Sequence, residues 1–163
     1  MVRRLSLLAG LLFLVSLTAN AQGLGDKVEL YGAYSYVHID NDPSFNSNGF
    51  DLGAEYKFVS WAGAVADFNE TYGFGDLHTA LFGPQVSWPA RVSPFAHVLI
   101  GAAHGDAGPL SDNSFGVAIG GGIDTRLVPH VYWRIIEGDY LHTHLFGLGE
   151  SNARLSTGIV IHL

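Results

Sequence analysis

Eight histidines are spread through the 163 residues, and three local arrangements have the ingredients of chemistry. His142-Thr143-His144 puts two imidazoles on one face of a strand or its loop, the start of a metal pair. Two ligands with no third nearby make a weak site. His104-Gly105-Asp106, followed by Ser111, brings a base, an acid and a hydroxyl into one stretch, as a nucleophilic hydrolase needs. Gly120-Gly121-Gly122-Ile123-Asp124-Thr125 has the glycine density of a phosphate loop. It lies inside a strand pattern, however, with no helix after it to present amides. None of these sets defines a catalytic residue, a metal ligand or a cofactor, so none of the three is expected. His38, His97 and His162 fall in strand patterns and are expected in interior networks or at interfaces.

The elements that would have to position such groups are strands. In Gly49–Phe58, Phe50, Leu52, Ala54, Tyr56 and Phe58 share one parity, and Asp51, Gly53, Glu55 and Lys57 share the other. This is period two without an error. Ala62–Asn69 repeats it, with Ala62, Ala64, Ala66 and Phe68 against Gly63, Val65, Asp67 and Asn69. Phe115–Leu127 sets Phe115, Val117, Ile119, Ile123 and Leu127 against Gly116, Ala118, Gly120, Gly122, Asp124 and Arg126. The C-terminal stretch sets Leu155, Ile159, Ile161 and Leu163 against Arg154, Ser156, Gly158 and His162. Val28–Ile39, His78–Ser87, Pro94–Ala103 and Val131–His142 complete eight strands. The first has aromatics on both parities. Val131–His142 conflicts with itself, because Arg134 falls on one parity and Glu137 and Asp139 on the other; a bulge near Ile135-Ile136 would reconcile them.

Connections alternate in length. DNDPSFNSN, ETYGFGDL, HGDAGPLSDN and THLFGLGES run to eight to ten residues, whereas SWAG, SWPARVS and RLVPH are shorter. That alternation predicts an all-β fold, an eight-stranded antiparallel up-and-down transmembrane β-barrel with short turns at one end and longer loops at the other.

Residues 1–21, MVRRLSLLAGLLFLVSLTANA, have the charged, apolar and small-residue layout of a secretory signal peptide, and their apolar run is too short to span a bilayer as a helix. The barrel domain is expected over 22–163, exported through the secretory pathway. Without residues 1–21 the chain has six basic residues against fifteen acidic ones, a net charge of −9 with histidine neutral. A nucleic-acid partner is therefore not expected. There is no cysteine, hence neither a disulfide nor an acylated N-terminal cysteine.

Alternation alone does not say which face is wet. Three features favour apolar side chains outside. The charged parity is also the glycine-rich parity, which suits a narrow interior. Trp61, Trp88 and Trp133 all map to the short-turn end, where with Phe58 and Tyr132 they would form an interfacial belt. The last strand stops at Leu163 with no tail, as expected if it pairs with the first and leaves no edge. Leu52, Phe68, Ile119 and Ile161 should then face lipid. Asp51, Glu55, Lys57, Asp67, Asp124, Arg126 and Arg154, with one of Arg134 or Asp139, should form a paired ionic network inside.

The stretches VELYGAYSYV, AGAVADFNETYG, TALFGPQVS, SPFAHVLIGAA, GGGIDTRL, IIEGDYLHT and RLSTGIVIHL together resemble the small eight-stranded outer-membrane β-barrels of the OmpA/OmpX type, over about Val28 to Leu163. Ser156, Gly158, Ile161 and Leu163 look like that family's C-terminal assembly signal, with leucine where it usually has phenylalanine. The resemblance implies a bacterial outer-membrane location, lipid and lipopolysaccharide as surroundings, the barrel assembly machinery as a partner in biogenesis, and a monomer. It implies a non-enzymatic role in envelope structure or surface-loop interactions. Two alternatives stay open: a barrel enzyme acting on lipid A or phospholipid, and a soluble ligand-binding barrel. Barrel deacylases of this fold use a Ser-His pair, and no His-x-Ser of their pattern occurs here.

Overall fold

Two-residue alternation decides which way each side chain points, and the pairing register decides whether the sheet closes. The structure, a computed structural model, describes residues 27–39, 45–72, 76–107, 110–143 and 150–163. The expected signal peptide and His144 lie outside the described residues. Eight strands follow one another: β1 (Val28–Ile39), β2 (Phe45–Val59), β3 (Ala62–Tyr72), β4 (Asp76–Ser87), β5 (Val92–Ala107), β6 (Leu110–Val128), β7 (Val131–Thr143) and β8 (Glu150–His162). Each pairs antiparallel with the next, and β8 returns to β1 in a register running from Glu29↔His162 to Ile39↔Asn152, so the sheet is a closed barrel. Leu163 N donates to Val28 O at 2.8 Å, which finishes the seam. No helix among the described residues is long and apolar enough to cross a membrane.

The expected parities hold in β2 to β6 and in β8. Phe82 is 58% exposed, and Leu52, Phe68, Ile119 and Ile161 are exposed with it, while Asp51, Glu55, Asp67, Arg134 and Arg154 are buried. This is the inverse of a soluble barrel. In β1 the ambiguity resolves with Tyr31, Ala33, Ser35 and Val37 inside and Tyr34 and Tyr36 outside.

The self-contradiction of β7 resolves through a bulge. Its pairing to β8 passes from Arg134↔Gly158 directly to Glu137↔Ser156, so Ile135 and Ile136 together stand opposite Thr157. Both isoleucines are exposed, and Arg134, Glu137 and Asp139 all point inward. The expectation of one inward charge from the pair Arg134 and Asp139 is thus corrected to both, with Glu137 added.

Two other expectations change. The connections after β1, β3, β5 and β7 are shorter than the polar stretches suggested, because the strands run on into them. Between β5 and β6, pairing continues through His104↔Asn113 and Gly105↔Asp112 to Ala107↔Leu110. Backbone ladder bonds do not depend on side-chain polarity, so a hairpin with polar residues on both faces persists wherever both faces meet water. The interior is also not purely ionic. Leu77, Leu81, Leu99, Ala103, Ala118 and Leu141 form a buried inward cluster. The pairs Leu99↔Ala118 and Ala118↔Leu141 put it on the loop side of His97, Gly120 and Asp139.

Two local irregularities have sequence causes. Pairing between β4 and β5 lapses between Phe82↔Ile100 and Gln85↔His97. Pro84 has no N–H to donate, and a closed barrel has no edge on which to place it. At the β6–β7 turn, His130 takes φ = 66° directly after Pro129. A Cβ is disfavoured in that left-handed region. His130→Gly is expected to raise the urea unfolding midpoint of the detergent-folded protein, by up to about 1 kcal/mol after the greater flexibility of unfolded glycine is subtracted. An unchanged or lower midpoint would show that the interactions of the imidazole outweigh the strain in the turn.

Candidate functional site

Inward parity at mid-barrel delivers charged side chains from six strands into one narrow lumen, and two arginines organise them. Arg154 on β8 donates from Nε to Asp139 Oδ2 at 2.8 Å and from Nη1 to Asp67 Oδ1 at 2.8 Å, with Asp51 Oδ1 at 3.4 Å. Its Nη2 lies 2.7 Å from Asp139 Oδ2. Around this centre Tyr31 Oη donates to Asp67 Oδ2 at 2.5 Å and Ser156 Oγ to Asp51 Oδ2 at 3.1 Å.

The second centre is Arg134. Its Nε and Nη2 reach the two oxygens of Asp124 at 3.0 and 3.1 Å, a bidentate fork, and Nη1 donates to Glu137 Oε2 at 2.8 Å. The guanidinium carbon lies 4.4 Å from the Tyr31 ring centre and 4.3 Å from that of Phe95. That geometry suits a planar cation. His97 links the centres: Nε2 is 2.7 Å from Asp139 Oδ1, and Nδ1 is 3.3 Å from Gln85 Oε1. Gln85 Nε2 then donates to Glu55 Oε2 at 2.7 Å.

Glycine makes this convergence possible. Gly120 on β6 pairs with His97 on one side and Asp139 on the other, so the two meet across a position without a side chain. A Cβ there would strike the Asp139 carboxylate and Gly138 O. The glycine run 120–122 thus serves interior packing, as its strand context implied.

Of the residues expected inside, Asp51, Asp67 and Arg154 meet directly, Asp124 joins through Arg134, and Glu55 joins through Gln85. Lys57 lies nearer the short-turn end and pairs with Glu29 Oε1 at 2.5 Å, where His162 Nε2 also approaches to 3.1 Å. Arg126 is not part of the network. It is exposed at the short-turn rim, its N–H donating to Arg91 O at 2.9 Å. The inward parity of β6 there runs past the end of the lumen, so the side chain opens onto a basin that Lys57, Arg91, Tyr132 and His162 also line. His97 was expected in an interior network or at an interface, and Arg134 as an alternative to Asp139; Glu137, Gln85 and Tyr31 are the members not expected in the network. Glu137 was hidden by the bulge, and an inward tyrosine leaves no signature in a strand with aromatics on both faces.

Trp61, Trp88 and Trp133 are all exposed at the short-turn end with Phe58. Tyr132 leaves that belt: it points inward and stacks on His162 at 4.0 Å between ring centres. The strand parity between Trp133 and Arg134 demands this. Ser156 and Gly158 lie on the inward face and Ile161 on the outward one, next to the seam with β1. His104 turns its Nδ1 to Asn113 Oδ1 at 2.7 Å, and the side chains of Asp106 and Ser111 are outside the described set. His38 faces outward and meets Asn46 Oδ1 at 2.7 Å.

A closed eight-stranded antiparallel barrel, apolar outside and charged inside, is the fold of the small outer-membrane β-barrels. Three solved structures share it. Neisserial surface protein A superposes with a TM-score of 0.65 at 13% identity, covering 84% of this chain and 97% of that one. Ail, the attachment invasion locus protein of Yersinia pestis, gives 0.53 at 24% identity over 82% and 96%. The N-terminal β-barrel domain of Pseudomonas aeruginosa OprF gives 0.51 at 13% identity over 82% and 97%. At these identities the likeness is one of fold. No protein-family model and no curated protein matches the chain.

Proposed function

We propose that the protein is an integral outer-membrane β-barrel, exported with residues 1–21 as its signal peptide, closed to diffusion and non-enzymatic. It contributes to envelope structure or presents its loop-end hairpins to partners outside. The observation that carries the reading is the filled lumen. Arg134 and Arg154 are each 2% exposed, locked among carboxylates, and Leu81, Leu99 and Leu141 occupy the lumen on the loop side. Such packing is expected to leave water and ions no continuous wet path, because an eight-stranded barrel has room for little beyond side chains. Lipid and lipopolysaccharide surround the outward face, the assembly machinery acts on the C-terminal strand during insertion, and the working unit is a monomer. In the nearest hydrolase-like set, His104 turns its Nδ1 to Asn113, a residue outside that set.

The test is electrical. In planar bilayers the purified protein is expected to show no steady conductance at moderate voltage. A reproducible large open state would mean that the charged interior is a pathway rather than a plug. An unchanged lipid A composition with and without the gene is the matching expectation for a non-enzyme.

A further inference from the structure

The interior around Arg134 and Arg154 leaves several buried polar atoms without a hydrogen bond, Glu55 Oε1 and Glu137 Oε1 among them. Glu137 is fully buried, its Oε2 accepts from Arg134, and its Oε1 accepts no hydrogen bond. That orphan oxygen lies 3.8 Å from His97 Nε2, which is itself 2.7 Å from Asp139 Oδ1. All three ligand atoms fall within 4.8 Å of one another. We propose that His97, Glu137 and Asp139 form a buried site for one divalent transition-metal ion of zinc type, a structural site that ties β5 to β7.

Ligand geometry fits after a small adjustment. Tetrahedral zinc with bonds of about 2.0–2.2 Å holds its ligand atoms about 3.3 Å apart, and the two ligand spacings measured to His97 Nε2 fall on either side of that figure. The outer shell is already in place. His97 Nδ1 faces Gln85 Oε1 and can donate to it, so that an entering metal ion displaces only the proton Nε2 shares with Asp139 Oδ1. Arg134 holds the far oxygen of Glu137 and Arg154 the far oxygen of Asp139, so neither cation sits on the ligand side. Gly120 keeps the space between His97 and Asp139 clear.

Charge points the same way. Among the described residues, Glu29, Asp51, Glu55, Asp67, Asp124, Glu137 and Asp139 are buried against only Arg134 and Arg154, with Lys57 at the rim. A doubly charged ion offsets part of that excess where it is densest. The fourth position falls to an enclosed water, and the Leu81, Leu99 and Leu141 packing denies it to a substrate. A chain-local search misses this triad, because His97 is forty residues from its partners and the β7 bulge masks their common facing.

Because the lumen is sealed, metal must be offered during folding. The mature chain would be refolded from urea into detergent with Co2+ or Zn2+ present, dialysed, and counted for metal by mass spectrometry. Heat-modifiable gel mobility would confirm folding. The expected result is one ion retained per chain and a visible Co2+ d–d absorption. Both persist in a His78→Ala/His104→Ala control that removes the stacked, half-buried imidazole pair on the outward face. Both weaken at least tenfold in His97→Gln and in Glu137→Gln. Absence of the Co2+ band in the wild-type protein overturns the proposal, whatever the variants do. Retention unchanged in a folded His97→Gln or Glu137→Gln overturns it as well, by placing the ion on surface histidines.

Discussion

Arg154→Ala is expected to cost the folded barrel about 3–5 kcal/mol, enough to remove most of the stability of a domain this size. The loss does not come from the attraction forfeited. It comes from Asp51, Asp67 and Asp139, which keep their burial and lose the cation that compensates them. An Arg154→Met chain in which Asp51 and Asp67 are also made asparagine should therefore recover a large part of the deficit, since a network removed as a unit leaves fewer stranded charges. Arg126→Ala is the internal control. On the rim, paired with no carboxylate among the described residues, it should change stability by no more than about 0.5 kcal/mol. Urea unfolding in detergent, followed by gel mobility of unheated samples, reads all three. If Arg154→Ala unfolds at the wild-type urea concentration, the interior ions are spectators.

The contrast between Arg154 and Arg126 also shows what the sequence reveals and what it hides. Both occupy the charged parity of an alternating strand, and parity reports only which way a residue points. It carries no information on height, so it cannot say that position 126 has left the lumen while position 154 sits at its centre. The same holds for Lys57, which shares a face with Asp51 but serves Glu29 near the mouth. Facing was legible wherever alternation was unbroken, as in β2, β3 and β8. In β7 one extra residue inverted the parity, and the clash between Arg134 and Glu137 was itself the trace of the bulge. Strand ends were poorly legible at the loop end. There Asn46, Asn48 and Asn113 look like loop residues, yet they sit in ladders that continue above the apolar band.

The inward leucines are the harder lesson. Leu81 and Leu99 share parity with Gln85 and His97, so a rule that sends apolar residues outward would misplace them. They are inside because a narrow lumen has two needs, partners for its charges and filled volume. The ionic centre meets the first and the leucines above it meet the second. A membrane barrel reverses the usual sidedness only on its outer surface, where the solvent is hydrocarbon. Its inner surface still obeys ordinary packing.

That distinction yields the second large effect. Phe82→Arg places a cation on the lipid-facing side in the middle of β4, and it should destabilise the barrel by about 2–4 kcal/mol in a bilayer. In water the same change would be nearly free, because Phe82 packs against no core: it stands 58% exposed beside Ile100. The two environments predict opposite outcomes for one substitution. Unfolding in lipid vesicles measures the bilayer cost directly. A series along the outward face separates depth from residue identity: Trp88→Arg, at the short-turn interface, should cost only about 0–1 kcal/mol, and Phe82→Arg several times more. A soluble barrel would give no depth dependence, since every outward position would meet the same water. A flat profile across Phe82, Ile100 and Trp88 would remove hydrocarbon from the account of why these side chains point outward.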